Sequence, residues 1–202
     1  MLCLARALAP RPTLVLLDEP FSALDAALRR RLRRVVVDIL HAAGAAVVLV
    51  THDQEEALAL ADRVAVLRDG RITQCATPAD LYARPCDQWT ARFVGEVNIV
   101  AGDIVDGRAS TPLGPVAIEP RTGLIGRHNI ALRPEQLTIS PATSGPARVV
   151  STEFRGHHAV CEVHHPVLGD LVVRLPAHVV VGTGDAVSVE PAPGTAAAVL
   201  AD

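Results

Sequence analysis

The chain opens on alternations of apolar blocks and polar tips. Leu14–Leu17 is an apolar run without polar interruption that ends abruptly in Asp18 and Glu19, and this pattern predicts a strand buried on both faces of a parallel sheet. The device recurs 34 positions on, where Ala46–Val50 ends in Thr51-His52-Asp53. Between them, Leu28, Leu32, Val35, Val36, Ile39 and Leu40 recur at three- and four-residue spacing, predicting a helix from Ala26 to Ala43 that Gly44 ends. Arg29, Arg30, Arg31, Arg33 and Arg34 fall mostly on its other faces and read as a solvated surface. Asp53 can cap a following helix, with Glu56 completing a capping-box-like pair. Arg63–Leu67 predicts a strand, Asp69-Gly70 a tight hairpin turn, and Ile72 lies in the returning strand. Thr77-Pro78 resembles the N-cap and first position of a short helix through Tyr82, and a further helix is expected through Trp89–Phe93.

At Gly95 the period changes. Short β runs separated by turn residues follow: 97–105, 109–111, 116–118, 129–132, 137–140, 147–152, 159–164, 171–175 and 186–189. Asp106-Gly107, Leu113-Gly114 and Leu168-Gly169 are hairpin signals, and strands at this spacing suggest a small OB-type barrel. The expected fold class is α/β followed by an all-β OB-like domain, divided into residues 1–92 and 93–202.

The chemistry gathers at the two polar tips. A parallel sheet binds ligands beyond the C-terminal ends of its strands, and both tips lie there. Asp18 offers a hard oxygen ligand suited to Mg²⁺, while Glu19 can orient or deprotonate a water attacking a phosphoryl group. An N-cap acid beside a surface acid would explain Asp18-Glu19 equally well on its own. His52 at the tip of the second strand makes that blander explanation harder to sustain.

These residues carry a resemblance. LLDEP at Leu16–Pro20, SALD at Ser22–Asp25 and VTHDQEEAL at Val50–Leu58 are similar to the ATPase subunits of ATP-binding-cassette importers of the maltose, polyamine and ferric-iron type. The resemblance implies ATP and Mg²⁺ as cofactors, with Asp18 at the metal through water, Glu19 as the catalytic glutamate and His52 as the switch histidine at the γ-phosphate. It also implies that Ser22, Ala23, Leu24 and Asp25 form the loop that crosses to a second ATPase subunit. Permease subunits in the membrane would be partners, an extracytoplasmic solute-binding protein an indirect one, and the location the cytoplasmic face of the membrane. Phe93-Val94-Gly95-Glu96, Leu132-Arg133-Pro134-Glu135 and Val189-Glu190-Pro191 match landmarks of the C-terminal TOBE-type regulatory β-domain of such subunits. Thr111-Pro112-Leu113-Gly114 and the β-domain layout look most like the ferric-iron branch.

The chain departs from the family in one respect. No G-x-x-x-x-G-K-[ST] occurs, nor an LSGGQ signature or glutamine loop, and by the resemblance LARAL closes the helix that begins at the signature, so that Met1 falls inside that helix. The chain alone is therefore expected not to hydrolyse ATP. A non-catalytic fragment, acting only through its β-domain, is the alternative.

Composition narrows the rest. Half of the 202 residues are apolar but aromatics are 2%, so cores must be built from Ala, Val and Leu. A net charge of −3 gives no reason for nucleic-acid binding. Cys3, Cys75, Cys86 and Cys161 lack CxxC spacing, which argues against zinc and suits a reducing compartment. The longest nearly apolar run, 42–50, is about half of the ~18 residues that suggest a membrane span. The first twelve residues only faintly imitate a signal peptide. His157, Cys161 and His165 face one way on a strand, and His158 and His164 the other. Successive members of the first set would lie about 13 Å apart at ~3.3 Å per residue, too far for one strand to gather them around a metal. They read as structural or surface residues, as do His128 and His178.

Overall fold

A computed structural model describes residues 6–118, 123–142 and 145–201, without the side chains of 26, 30, 34 and 41. The spacing of Leu2, Leu4, Ala5 and Leu8 before Pro10 and Pro12 predicts an N-terminal helix, which lies largely outside them; at its end the Arg11 amide donates to Leu8 O. Contacts divide the chain into two compact units, one of residues up to Ala65 with Cys75–Ala79, the other of Val66–Gln74 with Asp80–Asp202.

In the first unit, β1 (Leu14–Asp18) pairs in parallel with β2 (Ala46–Val50), Leu14 opposite Ala46 and Asp18 opposite Val50. The crossover is α1 (Ala26–Ala43), closed by Gly44 at φ 66°, a left-handed conformation that glycine adopts without strain. α2 (Gln54–Leu60) follows β2. Only one face of the strand pair is covered. Val15 is buried, but Leu14, Leu16, Val48 and Val50 are 48–71% exposed. This corrects the expectation that β1 is buried on both faces. An unbroken apolar run encodes a two-sided environment, and among the described residues β1 and β2 stand as a two-stranded sheet with one bare face.

The second unit is mostly β. The hairpin of β3 (Val64–Arg68) and β4 (Arg71–Ala76) turns at Asp69-Gly70, both at positive φ, the geometry that matches strand twist. α3 (Pro78–Ala83) and α4 (Gln88–Val94) follow, and the Asp87 carboxylate caps α4 by accepting the Thr90 amide. The Trp89 and Phe93 rings stack with centroids 4.8 Å apart, and the Arg68 guanidinium covers Trp89.

Ten strands then form two modules. β5 (Asn98–Val105), β6 (Arg108–Thr111), β7 (Gly114–Ile118), β8 (Gly126–Leu132) and β14 (Ala196–Leu200) close a barrel in the order β14-β7-β6-β5-β8. β9 (Leu137–Pro141), β10 (Ala147–Phe154), β11 (His158–His165), β12 (Gly169–Pro176) and β13 (Ala186–Pro191) form an antiparallel sheet in the order β12-β11-β10-β13-β9. The OB-like expectation is met in the five-stranded barrel, and the nine anticipated β runs coincide with β5–β13. The strand not anticipated is β14, whose pairing with β7 and β8 completes the closure. Gly102 sits where a Cβ would stand 3.0 Å from Thr111 Cγ2 and 3.3 Å from Ile130 Cγ1, so the barrel wall closes there only on glycine.

One aliphatic core serves both modules, from Val100, Ile104 and Ile130 of the barrel to Val163, Val173 and Val187 of the sheet. Two polar side chains stitch it. Asn98 Oδ1 accepts the Val172 amide at 2.8 Å and its Nδ2 donates to Val172 O at 2.8 Å. Arg133, 4% exposed, donates to the carbonyls of Tyr82, Ala91, Gly95 and Glu96 and lies over the Tyr82 ring. The Tyr82 hydroxyl donates to Glu135 Oε1 at 2.7 Å. These bonds tie residues 82–96 to the β modules.

The histidines scatter. His165 is buried and its Nδ1 accepts the Val167 amide, whereas His164 Nδ1 lies 2.8 Å from Asp170 on the exposed face. His157 and His158 meet edge to face, and burial holds the His158 imidazole below its usual pKa. His128 is 3.3 Å from Ile125 O and His178 is exposed.

Candidate functional site

The parallel register sets the site. With Asp18 beside Val50, the Glu19 amide donates to Val50 O at 2.8 Å, which carries the ladder one residue past β1 and brings the two polar tips together. Glu19 holds φ 42°, a left-handed conformation unusual for a non-glycine residue and a turn that redirects the chain off the strand. The Ser22 amide and hydroxyl both donate to Glu19 O, at 3.2 and 3.0 Å, and Phe21 is buried beneath the turn. Ala23 is exposed and Leu24 half-buried. Asp25 caps α1, its Oδ1 accepting the amides of Ala27 and Leu28.

Glu19 and His52 converge. His52 Nδ1 lies 2.9 Å from Glu19 Oε1. A carboxylate only accepts, so the ring nitrogen facing it carries the proton. The hydrogen bond to Glu19 and then its charge raise the His52 pKa above the usual value, with small additions from Asp53 and Glu56 against a desolvation penalty. Both side chains remain accessible, 74% exposed for His52 and 48% for Glu19. Asp18 is exposed at the end of β1, on the face that carries Leu14 and Leu16.

The residues behind His52 form a network that sequence reasoning did not anticipate. Asp53 caps α2 as expected, its Oδ1 accepting the Glu56 amide. The reciprocal half of the capping box is not made. Glu56, 3% exposed, instead accepts from Thr51 Oγ1 at 2.8 Å and from Arg33 at 3.0 Å. Arg29 and Arg33 both reach Asp53 Oδ2, at 3.1 and 2.9 Å. Burial pushes the Asp53 carboxyl up, but the Glu56 amide and the Arg33 charge outweigh it and hold the pKa below the usual value. Arg33 is buried and Arg29 partly so, which corrects the reading of the arginine run as a solvated face. The signal was present in their four-residue spacing, which places both on one face of α1.

These groups surround a cavity of about 90 Å³, lined among others by Glu19, Ser22, Arg29, His52 and Asp53. At ~30 Å³ per water it holds a few water molecules rather than a nucleotide. Among the described residues no group of three or more His, Cys, Asp or Glu side chains could hold a metal ion. A single strand-end carboxylate, Asp18, nevertheless suits Mg²⁺, which keeps several waters and takes its remaining ligands from phosphates. The chain contains no lysine and no phosphate-cradling glycine loop.

A family model described as an AAA domain, putative AbiEii toxin, Type IV TA system, matches residues 1–59, and the TOBE domain model matches residues 130–199. The Fe(3+) ions import ATP-binding protein FbpC 1 of Rhodococcus jostii (strain RHA1) is 47% identical over 154 residues, 76% of this chain and 44% of that protein. The FbpC proteins of Serratia marcescens and Pseudomonas fluorescens (strain Pf0-1) are 47% and 48% identical, each over 76% of this chain and 45% of their own length. The chain thus spans less than half the length of these curated relatives. A solved structure of the cytoplasmic molybdate-binding protein ModG aligns with 46% of the chain at 11% identity and a TM-score of 0.38, too slight a likeness to carry an argument. Among the described residues no helix is long and apolar enough to cross a membrane. By sequence, the chain is a homologue of the ATP-binding subunits of ABC importers, joining part of an ATPase domain to a TOBE domain.

Proposed function

We propose that this chain supplies the carboxylate and histidine side of the ATP site in a subunit that energises solute import. The observation that carries the reading is the 2.9 Å approach of His52 Nδ1 to Glu19 Oε1 at the meeting point of two parallel strand ends. Glu19 orients and deprotonates the attacking water, and His52 holds that carboxylate in place through Nδ1. The raised pKa of His52 favours the imidazolium, whose Nε2–H, on the far side of the ring, donates to a γ-phosphate oxygen. Asp18 would hold Mg²⁺ through water. The ion, when bound, neutralises charge on the phosphate oxygens.

Residues 22–25 form the loop that crosses to a second ATPase subunit, and the assembly drives permease subunits from the cytoplasmic face of the membrane. By resemblance residues 1–92 correspond to the ATPase portion and 93–202 to the regulatory β-domain, with residues 80–92 packed into the compact unit of the latter. Ferric iron is the proposed cargo, supported by the names of the relatives. Phosphoryl transfer depends on positioning and charge stabilisation, which Asp18, Glu19 and His52 do not supply alone. The 202-residue chain is accordingly expected to show no saturable ATP binding by calorimetry at millimolar nucleotide with Mg²⁺.

The test completes the subunit. In a chimera that places the N-terminal half of the Serratia marcescens relative before this chain, Glu19→Gln should leave ATP affinity within about threefold and lower turnover by ~10²-fold or more. Near-normal steady-state turnover in that variant overturns the role of Glu19.

A further inference from the structure

We propose that Arg29 is a positioning residue that couples the Ser22–Asp25 loop to the His52 tip, with Arg33 as its buried anchor. The inference rests on the functional reading of those two loops given above and adds the link between them.

The link is a continuous path of hydrogen bonds. One terminal nitrogen of Arg29 donates to Leu24 O at 3.0 Å, inside the loop. The other donates to Asp53 Oδ2 at 3.1 Å, on the residue that follows His52. One guanidinium therefore spans the two segments, and its planar fork fixes their separation as an ammonium on a flexible stem would not. Arg33, one turn on, holds the same Asp53 oxygen at 2.9 Å and Glu56 Oε1 at 3.0 Å. Glu56 Oε2 accepts from Thr51 Oγ1, which in turn accepts the Asp53 amide at 3.0 Å. The residues on both sides of His52 are thus fixed, and outside this tip the path ends on the Leu24 carbonyl.

Two features favour a positioning role over simple stabilisation. Among the described residues the Nε atoms of both arginines are buried without a hydrogen-bond partner, a penalty that an ion pair built only for stability would avoid. Among the described residues neither arginine hydrogen-bonds or ion-pairs with Glu19 or the His52 ring, so each acts through backbone and caps. A displacement of the Leu24 carbonyl, such as docking of a second subunit on the loop would impose, moves Arg29 and with it Asp53 and His52.

Two measurements test this. In the chimera assembled with its permease, Arg29→Ala should lower kcat about tenfold or more with KM for ATP within twofold, and Arg29→Lys, which keeps the charge but not the fork, should fall between. In a His52→Ala background, Arg29→Ala should add less than twofold; a full tenfold further loss overturns the coupling. Should His52→Ala itself leave turnover unchanged, the functional reading fails, and the coupling is judged on the second measurement. There, hydrogen exchange of the 202-residue chain with Arg29→Ala should accelerate about tenfold both at 24–28 and at 53–56. Acceleration in only one segment, or in neither, overturns the coupling. Arg29→Gln, which keeps a planar donor and is milder to the fold, serves if the alanine variant does not fold.

Discussion

Replacing Arg133 by methionine should detach α4 from the β modules. The substitution keeps a long apolar stem and removes a guanidinium whose nitrogens reach four backbone carbonyls, those of Tyr82, Ala91, Gly95 and Glu96. The carbonyls of Ala91, Gly95 and Glu96 lie at the C-terminal end of α4, where a cation also meets the negative end of the helix dipole. Each bond from a charged donor is worth about 1.5–3 kcal/mol, but burial of the guanidinium opposes this, and burial is the main reason its pKa is lowered. Leaving several carbonyls unpaired while recovering that desolvation gives a net loss of about 3–5 kcal/mol. At ~2–4 °C per kcal/mol, the melting temperature should fall by about 10 °C. The chain's single tryptophan, Trp89, lies in α4, so its fluorescence reports the detachment and far-UV circular dichroism the β modules. In the variant the Trp89 transition should precede the β transition. A shift under about 3 °C, with both probes coincident, would refute the reasoning.

Two further outcomes follow from the second unit. Tyr82, the only tyrosine, has its pKa pushed up to about 12 by burial and then by its hydrogen bond to Glu135. Its protonated form is favoured by folding, so its stabilising contribution is complete below pH ~10, the unfolded value, and is lost as pH rises through the folded value. Absorbance at ~295 nm should show the phenol ionising near that raised value, and Glu135→Gln should move the midpoint down; a midpoint near 10 in the folded protein would refute the assignment. Limited proteolysis should leave a resistant piece beginning near Asp80 rather than near Gly95, because Arg133 holds residues 82–96; a resistant piece starting at Gly95 would contradict that hub.

The parts of the molecule that were legible in the sequence share a cause. Asp69-Gly70, Asp106-Gly107 and Gly44 announce backbone conformations that few other residues adopt, and each stands at a turn or helix end. The convergence of Glu19 and His52 was readable because parallel pairing of two similar apolar runs forces their polar ends together. What escaped were properties that depend on distant partners. Leu14 and Leu16 have the composition of buried residues, and composition does not say whether a neighbour covers them. Arg33 looks like any charged residue on an amphipathic helix until Asp53 and Glu56, 20 and 23 positions on, are placed against it. β14 is largely alanine, with one β-branched residue and no alternation to mark a strand, and it becomes one because β7 and β8 offer it two edges. Arg133 stood out only as a point of resemblance, and its four carbonyl partners lie 37–51 residues upstream.

The bond between Asn98 and Val172 has a consequence for solubility. β12 is the end strand of its sheet, and an end strand exposes outward-pointing amides and carbonyls on which another chain can add a strand. The Asn98 carboxamide occupies one such amide–carbonyl pair with the same donor and acceptor geometry an incoming backbone would use. It does so from a barrel strand 74 positions away, so the protection exists only once both modules have folded. Until Asn98 docks, that amide–carbonyl pair of β12 stays open to pairing between molecules.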